Sequence, residues 1–237
     1  MNALRRIAQI ARLPIISIIF ATFQVAGAQG LPTDAADLLN LAGRNQDSLL
    51  RDLGPMFKAI GAVGRVYVHS ECLGGSEDVL FFPRIDVNSE AKGKMGAAAI
   101  QDILAKNKDV RVSERQPGVI GIWISDIHND LLTTRIRMLR LKPRQRYNYQ
   151  DAIAAILATT EVQTKMREFR MEAMPEFASY PIVAPDPKLP HLAASMSDLT
   201  VDEALDQVAR TFTGFVIYKE CTDRKSARLF SILMLEM

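Results

Sequence analysis

Chemistry in this chain, if any, begins with a handful of side chains. His69 and Cys72 lie three apart, and that pair could feed a metal or supply a thiol activated by an imidazole. Side chains three apart on a strand leave opposite faces. The pair therefore works only if the strand ends at Glu71; otherwise His69 is a surface histidine and Cys72 a disulfide partner. Asp126, His128 and Asp130 alternate in a polar break after Trp123. Three such ligands on one side of an extended loop could hold a divalent ion, although aspartates also crowd ordinary turns because they bond the local backbone. Ser89 and Lys92 have the serine and lysine spacing of penicillin-binding enzymes without their companion motifs. There is no Gly-x-Ser-x-Gly, no phosphate-binding glycine loop and no His-Glu-x-x-His. No catalytic residue, metal site or cofactor is assigned from these patterns.

The strongest local charge asymmetry is a run of six basic residues, Arg135, Arg137, Arg140, Lys142, Arg144 and Arg146, with Tyr147 and Tyr149 close behind. Exposed arginines can clamp carboxylate or phosphate groups in paired hydrogen bonds, so the run is a candidate binding surface for an envelope protein or an anionic envelope ligand. Charged edge strands also serve simply to prevent sheet-to-sheet aggregation.

The elements that must position these residues follow from periodicity. Asp34 to Ile60 carries apolar residues at helical spacing, broken near Gly54-Pro55, and forms a helical N-terminal arm over 29–63. From Val66 to Cys72 the pattern alternates in period two; Gly74-Gly75 then turns the chain into Val79 to Phe82, a hairpin. A helix over Met95 to Lys106, a strand at Val110 to Glu114 and an apolar strand from Val119 to Ile124 follow. Next come a basic strand, Thr133 to Leu141, and a second helix from about Tyr149 to Phe169. Five prolines between Pro175 and Pro190 mark 171–191 as a linker.

Beyond the linker, in 192–237, the earlier unit of 64–170 returns in outline. Ile100 to Val112 laid on Leu205 to Ile217 keeps apolar residues matched at five places, and Thr200-Val-Asp-Glu203 supplies a capping box for the second helix. The expected fold is α+β, with two related strand-helix-strand-strand modules joined by a helix and a proline-rich linker. The runner-up is one fused sheet with the helices on one face. Cys72 and Cys221 follow similar strands, and side-by-side strands would bring them within disulfide range.

The segment Ser197-Asp-Leu-Thr-Val-Asp-Glu-Ala-Leu-Asp-Gln-Val-Ala-Arg, followed by Phe215-Val-Ile-Tyr, resembles the short N-terminal domain of secretins and TonB-dependent receptors. The basic strand Thr134 to Leu141 with the helix from Tyr149 is similar to the opening of the next secretin periplasmic domain. The resemblance implies a periplasmic interaction module without the outer-membrane barrel, and brings no catalytic residues.

Compartment is read from the first 28 residues. Arg5, Arg6 and Arg12 precede an apolar run from Leu13 to Val25, and Ala26-Gly27-Ala28 closes it; this is the order of a secretory signal peptide cut after Ala28. The run falls short of the roughly 20 residues a membrane span requires, so no transmembrane span is expected after processing. When the three leader arginines leave, the net charge falls from +2 to −1, which disfavours nucleic acid as a partner. An even cysteine pair in an exported chain is most simply a disulfide. The function expected is a non-enzymatic binding or scaffolding module of the cell envelope, periplasmic or secreted. The competing class is an exported metal- or thiol-dependent hydrolase built on His69, Asp126 and His128.

Overall fold

A computed structural model describes residues 53–72, 96–174, 185–222 and 227–237. The stretches read from sequence as leader, most of the N-terminal arm, return strand Val79 to Phe82 and Ser89/Lys92 pair lie outside the described residues.

The fold is α+β. Helix α1 (53–59) leads into strand β1 (Val63–Glu71), followed by α2 (Gly96–Ile103), β2 (Arg111–Gln116) and β3 (Val119–Trp123). Strand β4 (Arg135–Arg140), the short α3 (Pro143–Arg146), α4 (Tyr149–Leu157), α5 (Thr160–Glu168) and β5 (Met171–Ala173) come next. The chain ends with β6 (Ser195–Thr200), α6 (Val201–Phe212), β7 (Gly214–Thr222) and β8 (Arg228–Glu236).

Six strands make one mixed sheet in the order β2-β3-β1-β7-β8-β5, while β4 and β6 form a separate antiparallel pair. Strand β1 runs parallel to both neighbours, pairing Val63 with Val119 on one side and Gly64 with Phe215 on the other. Both faces of the sheet are covered. Alternation along β1 sends Val63 and Tyr67 into a core shared with α4, α5 and α6, and Val66 and Val68 into a second core closed by Leu53 and Phe57 of α1 and Ile100 and Ile103 of α2. Near-continuous apolar runs such as Phe215-Val-Ile-Tyr218 belong to strands covered in this way.

Several sequence expectations are refined. Both units keep the order strand, helix, strand, strand, but they do not each own a sheet: β1, β2 and β3 of the first share one sheet with β7 and β8 of the second. Strand β6, which opens the second unit, pairs with β4 instead. The sheet is fused, with helices on both faces because β1 and β7 are apolar on both. The helix read from Tyr149 to Phe169 is two helices. Thr159 leaves helical geometry to cap α5, and its hydroxyl donates to the Ile156 carbonyl at 2.8 Å, the local side-chain competition by which threonine interrupts helices. Residues 171–173, read as the start of the linker, form edge strand β5 beside β8.

Capping follows the sequence at α6. Thr200 Oγ1 accepts the Glu203 N–H at 3.1 Å, and the Glu203 carboxylate accepts the Thr200 N–H at 2.7 Å. Cys72 and Cys221 form the disulfide, with Cα atoms 5.1 Å apart. It is set up by the β1/β7 pairing, which brings Ser70 opposite Cys221.

Candidate functional site

Four residues of β1 share its inner face by alternation: Val63, Arg65, Tyr67 and His69. Arg65 is fully buried. Its guanidinium reaches Asp206 Oδ1 at 2.7 Å, the Asp202 carbonyl at 2.8 Å and Asp202 Oδ1 at 2.9 Å. Asp202 and Asp206 stand four apart on α6 and so project from one face. Arg115 of β2 closes the group by pairing with Asp202, and the Tyr67 hydroxyl donates to Asp202 Oδ1 at 2.9 Å. Burial opposes charge on Arg65, but the carboxylates of Asp202 and Asp206 outweigh it and hold the arginine charged. Burial pushes the Tyr67 phenol up, so it keeps the proton it donates. Two cations facing two anions leave the group without net charge. It is a clamp between the sheet and α6, and its members were not singled out in the sequence.

Two residues further along β1, the same face carries His69. Its register partner on β7 is Glu220, and register partners on neighbouring strands point the same way. The loop after β3 brings His128 to the same carboxylate. Its backbone N–H donates to Glu220 Oε1 at 2.5 Å, and its ring Nδ1 lies 3.1 Å from that oxygen; His69 Nδ1 is 3.3 Å away. The two imidazoles stand 5.3 Å apart between centroids. Ser125 ties the loop to β1, its hydroxyl accepting the His69 N–H at 2.6 Å and donating to the His69 carbonyl at 2.8 Å.

The second oxygen of Glu220 accepts from the Tyr218 hydroxyl at 2.9 Å and from Arg228 at 3.0 Å. Arg228 also holds Asp130 at 2.8 Å. Burial would raise the Glu220 carboxyl; hydrogen bonds from His128, Tyr218 and Arg228 overcome it and hold the group below its ordinary value. Burial, then the Glu220 charge, pushes the Tyr218 phenol well up, which keeps it a donor.

The sequence candidates therefore separate. His69 and His128 meet, whereas Asp126 points away to an exposed pairing with Arg111 at 3.2 Å, and Asp130 serves Arg228. Cys72 is in the disulfide, so no free thiol stands beside His69. Glu220 was not foreseen. The available signal was its place next to Cys221 on a strand resembling β1, but the register that puts it against His69 depends on long-range pairing.

The basic run divides as well. Arg135 pairs with Asp198 at 2.5 Å, both largely exposed, and this hydrogen-bonded contact lowers the Asp198 carboxyl. Arg144 pairs with Asp151 at 2.7 Å. Arg146 donates to the Leu192 carbonyl at 2.8 Å and lies over the Tyr147 ring. Arg137, Arg140 and Lys142 are exposed, and none makes an ion pair among the described residues. Arg135 and Arg137 line an open groove of about 740 Å³ with Thr160, Glu161 and Thr164 of α5. Comparison of the chain with protein-family models, with curated proteins and with solved structures returns no match.

Proposed function

We propose that this protein is a non-enzymatic binding or scaffolding module of the cell envelope, exported to an oxidising compartment, that engages an acidic partner surface or anionic envelope ligand through the β4–α3 segment. The observation that carries the reading is a set of three exposed cations, Arg137 and Arg140 of β4 and Lys142 just beyond it, none in an ion pair among the described residues although Arg137 lies near enough to Glu161 to lower its carboxyl; β4 belongs to a two-stranded sheet. Guanidinium groups so placed are available to carboxylate or phosphate oxygens. The Cys72–Cys221 disulfide supports export, since such bonds persist where thiols are not kept reduced. Among the described residues no helix is long and apolar enough to cross a membrane. The secretin-like spacing from Ser197 to Tyr218 agrees with an envelope interaction role.

A pull-down from envelope extract tests the reading, with wild type compared against a variant carrying Arg137→Ser, Arg140→Ser and Lys142→Ser. Partners specific to the wild type, lost in the variant and in 1 M salt, are the expected result, because screening shortens from about 10 Å at 0.1 M to about 3 Å at 1 M. Unchanged partners on a folded variant would leave these residues as guards of a sheet edge.

One observation favours the competing hydrolase class. His69 and His128 converge on Glu220, which keeps the metal-dependent form open, whereas the thiol-dependent form has lost its nucleophile to the disulfide.

A further inference from the structure

We propose that His69, His128 and Glu220 form a binding site for a first-row divalent transition cation of the zinc class. The inference goes beyond the binding reading above and rests on a different part of the chain. Among the described residues this is the group of His, Cys, Asp and Glu side chains able to hold a metal ion, with one ligand atom from each lying within 4.8 Å of the others.

The spacing of each imidazole from the carboxylate fits such an ion. Zinc sits about 2.0–2.1 Å from imidazole nitrogen and carboxylate oxygen in tetrahedral sites, which places neighbouring ligand atoms about 3.3 Å apart. The two Nδ1 atoms lie 3.1 and 3.3 Å from Glu220 Oε1.

Hydrogen bonding alone does not account for the convergence. Three nitrogens face Oε1: the His128 backbone N–H at 2.5 Å and the two imidazole Nδ1 atoms. A carboxylate oxygen offers two lone pairs, and the backbone N–H takes one. Only one imidazole can then donate well. The other meets an oxygen with no lone pair left for it, and a cation between ring nitrogen and oxygen gives both of them a partner.

The carboxylate ligand and the strand beneath His69 are held as metal sites require. Outer partners fix the ligands: Tyr218 and Arg228 hold Oε2, and Ser125 locks the backbone at His69. Asp130 balances the charge of Arg228. Two imidazoles with one carboxylate suit zinc, copper, nickel or iron and not calcium or magnesium. His128 is 55% exposed in its side chain, so solvent or a small ligand can complete the coordination.

The test uses the full chain from the envelope fraction, without a histidine tag, disulfide intact and freed of metal by chelation. Calorimetric titration with Zn²⁺ should show one ion per chain, and Co²⁺ should give the visible bands of a tetrahedral nitrogen and oxygen site. Because Glu220→Gln strips Arg228 of a buried partner, the solvent-facing His128→Ala carries the test. It should weaken Zn²⁺ binding by more than the roughly 10–100-fold that loss of an outer partner costs. His191→Ala should leave binding unchanged. Absence of stoichiometric Zn²⁺ uptake by the wild type, or uptake that persists in the folded His69→Ala, His128→Ala double variant, overturns the proposal. Neither outcome touches the basic segment, whose own variant reports separately.

Discussion

Arg65 and Asp206 are a fully buried ion pair, and removing Asp206 leaves Arg65 only Asp202, a carboxylate it must then share with Arg115. Asp206→Ala should destabilise the protein by about 1.5–3 kcal/mol, the usual worth of a hydrogen bond to a charged group, measured by chemical denaturation. The apolar double replacement Arg65→Met, Asp206→Leu should recover part of that loss. Glu220 makes a pH prediction. Its folded carboxyl lies below the ordinary value of 4.5, so its contribution to stability is whole above that value and is lost as pH falls through the lower folded one. Denaturation midpoints followed downward from pH 5 should drop more steeply for wild type than for Glu220→Gln; parallel curves would contradict this. Sequence reading found His69 and His128 because histidine is rare here, three in the whole chain. It passed over Arg65, Asp206 and Glu220 because charged residues on a strand or helix are ordinarily solvated, and only tertiary pairing made these three buried.

At the level of elements, α6 ends on Thr213, which holds a left-handed φ of 50° although it is β-branched. The next residue, Gly214, opens β7. Left-handed geometry costs an L-residue roughly 1–2 kcal/mol, partly offset in glycine by its greater entropy loss of about 0.5–1 kcal/mol. Thr213→Gly should therefore stabilise by about 0.5–1 kcal/mol, seen as a melting temperature raised by about 2 °C. Gly214→Ala should do the opposite, because its new Cβ would run into the Leu235 carbonyl oxygen across the β7/β8 ladder, a backbone atom that cannot swing aside; a loss of about 1–3 kcal/mol is expected by the same denaturation assay. The α6 cap was legible because Thr200 and Glu203 act within one turn. The break at Thr159 was not, because the apolar period continues across it and only the threonine's own hydrogen bond decides the matter.

For the molecule as a whole, the disulfide joins cysteines 149 residues apart. Closing so long a loop is worth on the order of 5 kcal/mol in the chain-entropy model, so a Cys72→Ser, Cys221→Ser variant should melt well below the oxidised wild type, while reductant should have no effect on the variant. The pairing was legible from cysteine count and the likeness of the strands before each. The sheet order was not, because apolar strands with similar patterns fit several neighbours, and nothing local distinguishes β6 as the strand that leaves the sheet for β4. A sequence reading therefore recovers the elements more readily than their partnership.

The place of β1 between β3 and β7 also sets the timing of folding. The strand at the centre of the sheet is synthesised early, and one of its two neighbours lies near the other end of the chain, where Phe215 meets Gly64. At about 5–20 residues per second, roughly 8–30 s of translation separate the two. Until then the sheet has no finished middle and the nascent chain no closed core, so the chain stays threadable by virtue of its own topology, as the proposed export requires. Ribosome-arrested chains ending at residue 212 should accordingly be cut by protease within β1, and full-length released chains should resist.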